Sequence, residues 1–184
     1  VDKDGRYLKQ IPEIIAKKGK VSGLMTTGDV TDATPADFYA HTNNRDDSKV
    51  IIADFIKSKV KVLAGGTTDG LSEENISEAK KKNISLYNST SSAEFSKDRI
   101  LITDPLASKN YAERGRWLGE TFDKTLAKLN QNKNGFFMMV EASRTDITAH
   151  GNHLGNEIQE LLDFDEVVGK ALKFADEDGQ TLVV

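Results

Sequence analysis

Short apolar segments alternate along the chain with longer segments of helical periodicity. Strands are predicted at residues 21–25, 60–64, 84–87, 100–102 and 136–140. Helices are predicted around residues 11–15, 50–56, 72–82, 118–129 and 158–175, and a final strand is predicted from Thr181. Strands that are apolar on both faces and alternate with helices are typical of a mostly parallel sheet covered by helices on both faces. The sequence therefore predicts an α/β fold.

Length, charge and cysteine content narrow the alternatives. The 184 residues are enough for one domain with a real core, so residues 1–184 are expected to form a single unit. The net charge of −4 argues against a nucleic-acid-binding protein. No apolar run is long enough to span a bilayer, and the lack of cysteine excludes disulfides and thiolate metal sites. Because the chain begins at Val1 and stops inside the last predicted strand, we expect an internal piece of a longer protein.

Three potential metal ligands follow the predicted strand 136–140. Ligands of parallel α/β sheets bind beyond the carboxyl ends of the strands. Glu141 comes directly after the strand, where a charge must be paired, solvated or bound to a metal, and its oxygens suit magnesium. Asp146 and His150 are four residues apart, so on a helix they would share one face and could bind one zinc ion. The alternative is a solvated helix N-terminus that Thr145 or Asp146 caps.

A second polar group follows the predicted strand 21–25. Asp32 and Thr34 flank the start of a predicted helix with Pro35 at its first position. Either residue alone is explained as a helix N-cap, but both together are not. Arg45 is a candidate phosphate-binding residue, because a guanidinium group matches two phosphate oxygens at once. An ordinary surface arginine is the alternative.

Together, the two groups resemble segments of the alkaline phosphatases. The resemblance begins with residues 32–41, Asp-Ala-Thr-Pro-Ala-Asp-Phe-Tyr-Ala-His, and with residues 135–141 and 146–150. It continues through residues 162–168 and 178–184 and is weakest between residues 67 and 118. The order and spacing of these motifs agree with the family, which implies a partial alkaline-phosphatase-like fold.

The resemblance implies a role for each candidate metal ligand. Thr34 and Glu141 would ligate Mg²⁺, and Asp32 would support that ion through water molecules. Asp146 and His150 would hold a Zn²⁺ ion that binds the attacking water. Two further histidines have no such role by resemblance. His41 is expected to pack against its helix, and His153 is expected to be exposed.

The resemblance also implies an activity. The family hydrolyses phosphate monoesters through a phosphoserine intermediate, and Arg45 would bind two oxygens of the substrate phosphate. The nucleophilic serine and an aspartate that bridges two metal ions would precede Val1, and the remaining metal ligands would follow Val184, so we expect negligible activity from this chain alone. A periplasmic or secreted location and a homodimer are further implications of the resemblance.

Two other classes of function remain open at this stage. One is a related metalloenzyme, such as a phosphodiesterase, a sulfatase or a phosphomutase. The other is a non-catalytic α/β module that binds phosphate or a partner protein. A nucleotide-binding Rossmann domain is disfavoured, because the only glycine pair at a strand end, Gly65-Gly66, does not form the Gly-x-Gly-x-x-Gly fingerprint.

Overall fold

A computed structural model describes residues 3–4 and 6–184 of the chain. Within this part of the chain, the strands are β1 Val21–Asp29, β2 Val62–Gly66, β3 Ile84–Tyr87, β4 Arg99–Thr103 and β5 Phe136–Glu141. The helices are α1 Ile11–Ala16, α2 Ala33–Ala36, α3 Ser48–Lys57, α4 Glu73–Lys81, α5 Tyr111–Arg114, α6 Trp117–Leu129, α7 Ser143–His150 and α8 Leu154–Asp178. Helices and strands alternate as the sequence predicts, except that β4 follows β3 without an intervening helix.

The five strands form one parallel sheet in the order β3-β4-β2-β1-β5. β1 therefore lies between β2, which follows it in the chain, and β5, which comes last. The connection leaving β1 runs to one side of it and the connection into β5 arrives on the other. A crevice opens at the carboxyl ends of two strands where the direction of winding changes in this way. The carboxyl ends of β1 and β5 are thus the favoured place for a ligand.

Alternate residues of each strand pack into two separate cores, one on each face of the sheet. Leu24 and Leu63 contribute to the first core, which α3 and α4 cover with Phe55 and other apolar side chains. Met25 contributes to the second core, which α6 covers with Phe122 and its neighbours. Burial of both faces explains why the strands have apolar residues on both faces. The predicted α/β class, with helices on both faces, is confirmed.

The prediction of a final strand from Thr181 is wrong. Residues 181–184 are irregular, and Leu182 is 83% exposed. A run of β-branched and apolar residues favours an extended backbone, but a strand also needs a neighbour to pair with. The end of the preceding helix is predicted correctly, because Gly179 closes α8 with a left-handed φ of 66°.

Several boundaries also differ from the predictions. β1 continues to Asp29, four residues further than predicted. The prediction stopped early because the second half of the strand contains threonine and glycine instead of apolar residues. α2 begins at Ala33 with Asp32 as its N-cap residue, so Pro35 is the third helical residue and not the first.

Among the residues that the structure describes, no helix is both long and apolar enough to cross a membrane.

Candidate functional site

The carboxyl ends of β1 and β5 meet at Thr26 and Glu141. These two residues lie directly opposite each other in the parallel register. The Thr26 hydroxyl donates a hydrogen bond of 2.6 Å to Glu141 Oε2. Glu141 is half-buried, and the hydrogen bond from Thr26 holds its carboxylate against the neighbouring strand. The charge that follows the apolar strand is therefore paired with a neutral donor.

Asp32 reaches the same edge through a tight turn after β1. Its carboxylate accepts a hydrogen bond of 2.9 Å from the backbone N–H of Asp29. Gly28 makes room for this approach, because a Cβ atom there would lie less than 3.0 Å from both Asp32 Oδ2 and Ser143 Oγ. The absent side chain of Gly28 thus lets the turn after β1 and the first residue of α7 come close together.

A depression of about 400 Å³ opens beside this edge. Thr34, Glu141 and Asp146 all line it, together with apolar side chains that include Phe38 and Phe164. Thr34 comes from α2, which follows β1, whereas Glu141 is the last residue of β5 and Asp146 lies on α7. Two groups more than 100 residues apart in the sequence therefore meet at one end of the sheet.

Helix α7 presents Asp146 and His150 one turn apart. His150 Nε2 lies 3.5 Å from Asp146 Oδ2, and the two side chains are 80% and 78% exposed. The start of the helix is fixed by β1, because the backbone N–H of Arg144 donates a 3.0 Å hydrogen bond to Thr27 Oγ1. The N-cap residue, Ala142, has no side-chain oxygen to supply that bond.

Arg45 does not line the depression. It is exposed on the turn that precedes α3. His41 stacks on Tyr7 with ring centroids 4.8 Å apart, and its backbone N–H donates to Asp54. His153 is exposed at the N-terminus of α8, as predicted.

The structure thus brings Asp32, Thr34, Glu141 and Asp146 to one end of the sheet, with His150 on the neighbouring turn, and leaves Arg45 in solvent.

The donor atoms fit two kinds of cation but complete neither set. Asp32, Thr34 and Glu141 offer oxygens, which Mg²⁺ prefers along with retained waters. Asp146 and His150 offer one oxygen and one nitrogen, whereas zinc usually takes three or four protein ligands. Among the described residues, no group of three or more histidine, aspartate or glutamate side chains could by itself hold a metal ion.

Several residues at this end of the sheet escaped sequence reasoning. The apolar pattern of β1 is interrupted by Thr26, Thr27 and Gly28, and this interruption could have marked them as candidate site residues. Asp29 is half-buried, and its carboxylate accepts a 3.0 Å hydrogen bond from Ser108. Burial raises the pKa of Asp29 above its ordinary value, an effect that the Ser108 hydroxyl opposes and nearby carboxylates reinforce.

Comparison with known protein sequences gives a consistent result. The family model for alkaline phosphatase matches residues 1–95 and 109–184. Alkaline phosphatase 3 of Bacillus subtilis (strain 168) is 33% identical over 206 residues, which cover 100% of this chain and 43% of the relative. Alkaline phosphatase 4 of the same strain is 31% identical over 199 residues, with the same coverage of both chains. The chain thus spans less than half the length of these relatives.

Solved structures show the same similarity in three dimensions. The alkaline phosphatase from the Antarctic bacterium TAB5 matches with a TM-score of 0.88 and 30% identity, over 98% of this chain and 56% of that one. A variant of the TAB5 protein with Mg bound in the M3 site has the same TM-score at 29% identity, over 98% of this chain and 55% of that one. The sheet and helices described above are therefore similar to about half of each of these structures.

Proposed function

The chain belongs to the alkaline phosphatase family, and from this premise we propose that it supplies part of the metal and phosphate site of a phosphate monoester hydrolase. The meeting of Thr34, Glu141 and Asp146 around one depression at the switch point of the sheet supports this proposal. Because the chain covers 43% of its Bacillus subtilis relatives, the activity belongs to a longer protein of which residues 1–184 are one part of the catalytic domain.

Asp32, Thr34 and Glu141 would hold Mg²⁺ in this proposal, and Asp146 and His150 would hold Zn²⁺. Bound cations would neutralise charge on the phosphoryl group and lower the pKa of a coordinated water molecule towards 7. The part that residues 1–184 play in such a site is to hold the ligand side chains in position. Glu141 is held by its hydrogen bond from the neighbouring strand, and α7 keeps its two zinc ligands one turn apart.

Arg45 would bind two oxygens of the substrate phosphate. Its guanidinium is exposed, so no buried ion pair has to break before the phosphate can bind. Hydrogen bonds from a guanidinium to a phosphate strengthen as negative charge develops on the oxygens in the transition state. A serine outside this chain would attack the ester to form a phosphoserine, which water then hydrolyses. A location outside the cytoplasm and a homodimeric assembly belong to the same proposal.

The test compares the complete protein, with its flanking sequences, with residues 1–184 alone. We expect the complete protein to hydrolyse p-nitrophenyl phosphate, to lose activity to a chelator and to regain it with Zn²⁺ and Mg²⁺. The isolated chain should have negligible activity. Preference of the complete protein for a phosphodiester or a sulfate ester would favour a related metalloenzyme instead, and inactivity on all three substrates would favour a binding module.

A substitution in the complete protein tests the role of Arg45 separately. Arg45→Ala should lower kcat/KM by about 100-fold or more, the usual cost of losing one donor to transition-state charge. Arg116→Ala is the matched control, because Arg116 is an exposed arginine that pairs with Glu166 on α8. Equal effects of the two substitutions would remove Arg45 from the phosphate site.

A further inference from the structure

Two consecutive threonines lie fully buried where β1 approaches the candidate site. Thr26 and Thr27 are both 0% exposed. A buried hydroxyl destabilises the fold unless it forms a hydrogen bond, and both of these hydroxyls form one. Side chains alternate along a strand, and the two hydroxyls accordingly contact different groups, the Glu141 side chain at the end of β5 and the backbone at the start of α7.

The hydrogen bonds around Thr26 define the direction of its hydroxyl proton. The backbone N–H of Gly28 donates to Thr26 Oγ1 over 2.9 Å. With this N–H as donor to the oxygen, the hydroxyl proton remains available for Glu141 Oε2, which lies 2.6 Å away. The β-branched side chain of threonine has few rotamers, so the donor itself is held in place.

We propose that Thr26 is a positioning residue, which holds the Glu141 carboxylate in one orientation and leaves its other oxygen for a cation in the depression. This inference rests on the proposed role of Glu141 as a magnesium ligand. Outer-shell hydrogen bonds of this kind orient metal ligands, and their loss typically lowers metal affinity about 10- to 100-fold. The parallel register places Thr26 opposite Glu141, so the contact requires no loop to close.

The neighbouring Thr27 has a different role from Thr26. Its Oγ1 accepts from the backbone N–H of Arg144 and thereby caps α7. Its hydroxyl therefore contacts the backbone of α7, whereas the Thr26 hydroxyl contacts the Glu141 side chain. Thr121 on α6 provides a neutral comparison, because its buried hydroxyl has no hydrogen-bond partner among the described residues.

The test uses the 184-residue chain with three substitutions: Thr26→Val, which removes the hydroxyl at constant shape, Thr26→Ser, which retains it, and Thr121→Val, the matched control. The first readout needs no metal. The NMR signal of the Glu141 carboxyl carbon and the order parameter of the Glu141 side chain should show a freely rotating carboxylate in Thr26→Val only. The second readout is titration with Mg²⁺ of the complete protein, with its flanking sequences and the same substitutions, where Thr26→Val should bind about 10-fold or more weakly and the other two variants like the wild type.

The outcomes separate this inference from the proposed function. An unchanged Glu141 signal in Thr26→Val would overturn the positioning role, whatever happens with Mg²⁺. If the signal changes but the complete protein, with its flanking sequences, binds no Mg²⁺, the positioning role stands and the metal role of Glu141 fails. If Thr26→Val does not fold, the wild-type chain still decides. Its slowly exchanging Thr26 hydroxyl proton should show a cross-peak to Glu141, and absence of that contact would overturn the inference.

Discussion

His150 Nε2 and Asp146 Oδ2 face each other across one turn of α7, 3.5 Å apart and largely in solvent. We expect zinc to bind this pair weakly in the isolated chain, because two ligands are fewer than a stable zinc site requires. His150→Ala should lower the zinc affinity by more than about 10-fold, since loss of a ligand exceeds loss of an outer-shell partner. Competition with a chromophoric zinc indicator measures the change.

His153→Ala is the matched control for that measurement, because His153 is an exposed histidine three residues further on. It should bind zinc like the wild type. If both substitutions weakened zinc binding equally, the ion would be bound by surface histidines in general and not by the Asp146–His150 pair.

Gly28→Ala should destabilise the chain. The new Cβ atom would lie less than 3.0 Å from Asp32 Oδ2 and Ser143 Oγ, so the turn after β1 or the start of α7 must shift. Insertion of a methyl group into such a space costs about 1–3 kcal/mol of unfolding free energy. Urea denaturation measures it, with Gly169→Ala as control.

Gly169 lies within α8, and a Cβ atom there would meet nothing within 4 Å. Its replacement by alanine should stabilise the chain by about 0.5–1 kcal/mol, the usual difference between these residues inside a helix. A Gly28→Ala variant as stable as Gly169→Ala would show that the edge of the sheet has more space than the structure indicates.

Arg114→Met should cost about 3–5 kcal/mol of unfolding free energy, because it leaves buried carboxylates without their partner. Arg114 is fully buried and lies 2.5 Å from Glu160 and 2.9 Å from Asp163, which join α5 to α8. Arg116→Met is the control. Its ion pair with Glu166 is exposed and should contribute about 0–1 kcal/mol. Thermal or urea unfolding of both variants compares the two pairs, and equal losses would contradict the buried network.

Asp29→Asn should change how stability depends on pH. Burial raises the pKa of Asp29 above 3.8, so its ionised form is disfavoured in the folded chain. Its unfavourable contribution is complete above the folded pKa and disappears as the pH falls towards the unfolded pKa. We expect Asp29→Asn to be more stable than the wild type near pH 7 and to lose that advantage towards pH 4. Urea unfolding across this range is the measurement, and a constant difference would contradict the prediction.

The sequence predicted the class of fold and the end of the sheet where the candidate ligands meet. Alternation of strands and helices was enough for this, because parallel strands present their carboxyl ends at one edge. It did not predict the contacts of Thr26, Thr27 and Gly28. Those contacts depend on which strand lies beside β1, and periodicity within one segment contains no information about its neighbour.

The final four residues show the same limit. The run from Thr181 to Val184 has the composition of a strand, yet pairing decides whether a strand forms, and residues 181–184 are irregular in the described chain. Local sequence therefore predicted the elements better than their partners.

Thr26 and Glu141 are separated by 115 residues in the chain, although they lie on adjacent strands. Such a contact closes a large loop, and the entropic cost of that closure must be met before the contact adds any stability. A cation held jointly by residues from both strands would therefore bind the folded state and not the unfolded ensemble. By mass action, such a cation would raise the melting temperature of the chain once its concentration exceeds its dissociation constant.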